Sequence, residues 1–258
     1  RTIMLLGTNK TKITTKAPKA LGYVLYEGPS MLTGAPIVAI LTLKTSNRKT
    51  GDMAQVWILD AGDLNPVELS KAKLDASICG NCPHRLSLGG ACYVNIGQAP
   101  LACYRAYKRG RYQTYDPSIH AAQLSHRMIR LGAYGDPSAV PFEIMQGIAK
   151  AAKGHTGYTH QAAHKGFDKR FLGLCMVSAD TPKQAIKYQA LGAKTFRVAL
   201  VGDSLAHDEV ECLADSEGIQ CADCGLCDGT KKNVAITVHG KGASKFKSAM
   251  VIPSMMVA

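Results

Sequence analysis

Short strands alternating with helices in the second half of the chain, two β-rich runs near its start and cysteines gathered in two bunches predict an α/β fold. The expected form is a complete or partial (β/α) barrel with an N-terminal β-hairpin and Cys-bearing loops. The 258 residues, 46% hydrophobic, suffice for a sizeable buried core. We read one α/β domain over 1–258: residues 1–127 carry the hairpin, the first Cys loop and helices, and residues 128–258 carry βα repeats with a C-terminal Cys motif.

Taken in order, PIVAILTLK at 36–44 and AQVWILD at 54–60 are β-rich, and the Asn, Gly and Asp between them suit a hairpin turn. A polar connection with the first cysteines leads to a helix from about Pro100 to Arg109, and a second helix is expected after Asp116-Pro117, where Asp caps and Pro opens the first turn. MIRLGAY from 128 reads as a strand, and Asp136-Pro137 opens a helix that stops near Gly154. TGYTH, FLGLCMVSA, KTFRVALV and NVAITVHG follow as strands, with a helix from Thr181-Pro182 to Gly192. Strands separated by helices imply parallel pairing through right-handed crossovers.

No window approaches the roughly 20 apolar residues of a membrane span. The opening RTIMLL is broken by Gly7-Thr8-Asn9-Lys10, so a soluble protein without a secretory signal is expected. Thirty-one Lys and Arg against nineteen Asp and Glu give +12, which points to a polyanion such as nucleic acid or to a small anionic ligand. The segment RAYKRGRYQTY interleaves cations with Tyr that could stack on bases, or it is a solvated amphipathic helix. Neither a P-loop nor a GxGxxG fingerprint is present, and no hydrolase motif stands out.

The nine cysteines are odd in number and mostly bunched, which favours thiolate ligation of a metal over a disulfide framework and fits a reducing cytosol. Cys212, Cys221, Cys224 and Cys227 include a double C-x2-C run, the spacing of iron-sulfur sites, so a [4Fe-4S] cluster is expected ahead of zinc. Cys79, Cys82 and Cys92 share a Gly-rich loop and form a second ligand set, making two clusters possible. Cys103 either completes that set or packs, and Cys175 reads as core. In a parallel α/β fold the site lies beyond the carboxyl ends of the strands. Asp136, His160, Gln161, Asp180, Asp203, Ser204 and His239 fall there, while Arg130 and Arg197 lie inside strands. Arg130, Asp136 and His239 are the expected catalytic group.

The N-terminal LLGTNKTK, the central CGNCPHR and ACYVN, the strand RLGAYGDP and the terminal CADCGLCDG together resemble a family of phage-encoded proteins of unassigned function, named after phage gene product eighty-eight. The resemblance implies an iron-sulfur protein of the host cytoplasm, with a barrel and loop-borne cysteines similar to those of radical SAM enzymes. The spacing departs from the C-x3-C-x2-C of those enzymes, so SAM itself is not supported. The leading expectation is a redox or radical-type enzyme with a [4Fe-4S] cluster at the barrel mouth, acting on a small anionic substrate. The alternative is a basic nucleic-acid-binding protein of phage DNA metabolism with a structural iron-sulfur or zinc site.

Overall fold

The computed structural model describes residues 20–239 and 242–246. The LLGTNKTK motif and the basic run from Lys10 to Lys19 lie outside the described residues.

Ten strands form one mixed sheet in the order β4-β1-β2-β3-β5-β6-β7-β8-β10-β9. The hairpin consists of β2 (Pro36–Thr42) and β3 (Ala54–Asp60), antiparallel as expected, with β1 (Gly22–Pro29) added antiparallel to β2 and the two-residue β4 (Gln113–Thr114) at the edge. From β3 onward every pairing is parallel: β5 (Met128–Tyr134), β6 (Gly154–Thr159), β7 (Met176–Ala179), β8 (Thr195–Ala199), β10 (Asn233–Thr237) and the edge strand β9 (Glu209–Glu211). Among the described residues the edges β4 and β9 are not joined, so the sheet is open and not a complete barrel.

Among the described residues the helices with both ends defined are α1 (Pro66–Lys71), α2 (Ala76–Cys79), α3 (Ala99–Lys108), α4 (Pro117–His120), α5 (Phe142–Ala151), α6 (Pro182–Gln189), α7 (Leu213–Ser216) and α8 (Cys221–Cys224). Helix α1 was not anticipated, although Asn65 and Glu68 form a reciprocal capping box at its start. Helix α5 begins later than expected. The Asp136 side chain caps only a 3-10 turn over Pro137–Ala139, and Val140, extended at ψ 145° ahead of Pro141, interrupts the helical path. The strand FLGLCMVSA likewise survives only as Met176–Ala179, because Asp168 accepts from the Arg170 amide and starts a 3-10 turn over Lys169–Gly173.

The core lies between the sheet and its helices. Ile37, Ile40, Leu41, Ile58, Ile129 and Leu131 are fully buried, and α5 turns Phe142, Met145, Ile148 and Ala149 onto them at helical spacing. Burying each such large side chain contributes about 1.5–3 kcal/mol. Cys175 is buried here, as its apolar context predicts, and Cys103, for which packing was one of two readings, is buried as well.

Candidate metal centre

The carboxyl ends of β5, β6 and β7 present Asp136, His160 with Gln161, and Asp180. The loop after α2 folds over them. Gly80 makes this possible: at φ +52° it is left-handed, and a Cβ there would collide with the Gln161 side chain. Gln161 clamps the loop from below, donating to the Cys79 carbonyl at 3.0 Å and accepting from the Asn81 amide at 3.0 Å. The Asp136 amide donates to the Ile78 carbonyl at 2.7 Å.

Asp136 is a buried, fully engaged carboxylate. It accepts from the Ser138 amide and hydroxyl at 3.1 and 2.8 Å, from the Thr159 hydroxyl at 2.9 Å and from the His160 amide at 2.9 Å. Its work is to hold the turn that aims His160. Gly135, at φ +80°, packs so tightly on Ile58 that no Cβ fits.

His84 comes down from the loop, and its Nε2 lies 2.7 Å from Asp180 Oδ1. His160 Nε2 faces the same oxygen at 3.6 Å, an ion-pair contact beyond hydrogen-bond reach, and is a buried nitrogen with no hydrogen-bond partner among the described residues. A buried polar atom left unpaired costs about 1–3 kcal/mol, which a bound cation removes. The other ring nitrogen of His160, Nδ1, lies 3.5 Å from the Cys82 sulfur. Phe246 stacks on the His84 ring with centroids 5.3 Å apart. Burial, the largest influence on His160, disfavours its charged form, but Asp180 and Cys82 outweigh it and raise the imidazole to about 10. Burial likewise works against charge on Asp180, yet His160 and His84 hold its carboxyl well below the usual range.

His84, His160 and Asp180 form the single group of three or more His, Cys, Asp or Glu residues among the described residues whose ligand atoms all lie within 4.8 Å of one another. Two imidazoles and a carboxylate suit zinc or a similar mononuclear divalent cation.

This overturns the expected Cys-ligated [4Fe-4S] cluster, whether one or two, because no cysteine enters the group. The backbone ties the cysteines into separate turns. Cys79 ends α2 and is tied to Gln161 through its carbonyl, Cys82 faces His160, and the Cys92 amide donates to the His84 carbonyl at 2.9 Å. In the second bunch Cys212 precedes α7, and Cys221 and Cys224 open and close α8. The Cys227 carbonyl accepts from the Gly157 amide at 3.1 Å. Each bunch keeps its thiols near enough to influence one another. Burial above all, with neighbouring thiols adding, pushes Cys92 up to about 11 and Cys227 up to about 12.

The expected catalytic group separates into three sets of contacts. Arg130 donates to the Tyr93 hydroxyl and lies 5.2 Å from the Tyr158 ring centre, Asp136 is committed as described, and His239 lies 3.2 Å from Lys49 Nζ and 3.6 Å from Asp215. Arg197, 1% exposed, is a structural ion pair, donating to both Glu209 oxygens at 2.8 and 2.7 Å. His160, Gln161 and Asp180 were legible as strand-end residues. His84 was missed as a ligand, although CPHR in a Gly-rich Cys loop was its signal.

The tyrosines of RAYKRGRYQTY, Tyr107, Tyr112 and Tyr115, are half-buried, while Arg105, Arg109 and Arg111 are exposed. The Tyr104 hydroxyl, just ahead of the segment, donates to the Gly62 carbonyl. The segment thus presents a cationic surface with its tyrosine rings partly covered. No helix among the described residues is long and apolar enough to cross a membrane. No protein-family model, curated protein or solved structure matches the chain, so the resemblance to phage iron-sulfur proteins has no relative behind it and is withdrawn, together with its radical SAM-like character.

Proposed function

We propose that this is a basic nucleic-acid-binding protein whose loop 79–92 is fastened to the strand ends by one zinc-type ion on His84, His160 and Asp180. The observation that carries the reading is the buried His160 Nε2, without a hydrogen bond, facing Asp180 beside His84. The ion joins a residue of the loop to residues at the ends of β6 and β7, so binding it is worth folding free energy. The charge of +12 and the exposed Arg105, Arg109 and Arg111 supply the attraction to a phosphate backbone.

Metal content by elemental analysis, paired with fluorescence anisotropy on a labelled oligonucleotide at several salt concentrations, tests both halves. About one zinc per chain, lost in Asp180→Ala, and an affinity that falls linearly in log-log form with salt are expected. A chain purified and reconstituted without bound metal would refute the first half, and salt-insensitive or absent binding the second.

A further inference from the structure

We propose that the ion on His84, His160 and Asp180 keeps an exchangeable coordination position, and that an oxygen of a phosphate-class anion binds there. This rests on the metal reading above and goes beyond a purely structural ion.

The ligand count comes first. The group contains three protein ligand atoms, whereas a closed structural zinc site has four and a site open to exogenous ligands has three. Cys82 does not supply the fourth from where it stands, because its sulfur lies against Nδ1 of His160 while Nε2 is the nitrogen that faces Asp180. Cys82 instead serves as the partner that orients the ring. The carboxylate of Asp136 is spent on Ser138, Thr159 and the His160 amide. Residues 1–19, 240–241 and 247–258, which lie outside the described part, contain no His, Cys, Asp or Glu at all. Among the described residues no further His, Cys, Asp or Glu joins the group.

Charge decides what fills the exchangeable position. A divalent ion with one carboxylate and two neutral imidazoles leaves a residual charge of about +1, which favours an anion over water alone. The chain's +12 raises the local concentration of phosphate-bearing ligands of any size. The side chains of His84 and His160 are 15% and 23% exposed, so both rings border solvent although the His160 Nε2 atom itself is covered. Phosphate oxygens, as hard donors, suit a site of this borderline type. The same chemistry is offered by free inorganic phosphate and by a nucleic-acid backbone.

The test uses the full chain loaded with cobalt(II), whose visible ligand-field bands report coordination directly. Inorganic phosphate is titrated first and then a short oligonucleotide, each against potassium chloride of equal ionic strength. Expected are bands at one cobalt per chain, absent in His160→Gln, which phosphate shifts saturably and chloride does not. A shift by the oligonucleotide as well supports contact with a polymer backbone, and a shift by phosphate alone supports a free anion as the ligand. Stoichiometric bands that neither anion moves would overturn the exchangeable position while leaving the metal reading intact. Failure of cobalt to bind would overturn both.

Discussion

At the residue scale, one histidine joins two kinds of contact. His160 offers Nε2 toward Asp180 and His84, and Nδ1 toward Cys82, so its ring orientation is set from both sides. Partners that orient a ligand in this way typically govern metal affinity by 10- to 100-fold. Cys82→Ala should therefore weaken zinc binding by about that factor in a competition titration with a chromogenic chelator, whereas His160→Ala, which removes a ligand, should weaken it further. Asp136 acts one step back. Removing a carboxylate that accepts four bonds from Ser138, Thr159 and His160 leaves buried donors unpaired, so Asp136→Ala should cost at least about 2 kcal/mol in urea unfolding and also lower zinc affinity.

At the element scale, β8 and β9 are bound by charge in the interior. Neither strand pairs directly with the other, since β10 lies between them, yet Arg197 reaches Glu209 with side-chain exposures of 1% and 0%. Breaking a buried pair by removing one partner strands the other charge, so Arg197→Met should destabilise the chain by about 3–5 kcal/mol. Burial alone would raise the Glu209 pKa, but the Arg197 hydrogen bonds outweigh it and the carboxyl lies below its ordinary value of 4.5. The stability it confers is thus fully present above pH 4.5 and is lost as pH falls through the lower folded value. A thermal melt series from neutral to acid pH should show this decline, flattened in Glu209→Gln.

At the scale of the whole molecule, the open sheet places loop 79–92 on the ends of the parallel strands, and the proposed ion would link the two. Ligand linkage converts that into stability: at a zinc concentration 100 times the dissociation constant, the folded state gains about 2.7 kcal/mol. Chelation of the holoprotein should lower its melting temperature, and zinc should restore it. The link reaches further, because Phe246 rests on the His84 ring and Gly242 packs against the Ala91 carbonyl. Chelation should therefore also raise hydrogen exchange across residues 79–92 and 242–246 together.

The amino-acid order by itself determined the local grammar. Periodicity and caps marked the hairpin, α3, α6 and the parallel strands, because alternation, Pro at the first turn and Gly at the end act through neighbouring residues alone. Strand-end position likewise singled out Asp136, His160 and Asp180. It did not reveal β1, β4 or β9, whose pairing is settled by distant partners, nor that the sheet stays open. Most of all, spacing suggested one or two iron-sulfur clusters on Cys79, Cys82, Cys92 and the later cysteines, while the close ligand group that the fold forms contains none of them and brings His84 across 96 positions to Asp180. Ligand sets are three-dimensional objects: spacing limits which side chains can meet, and only the packing of loop against strand ends selects those that do.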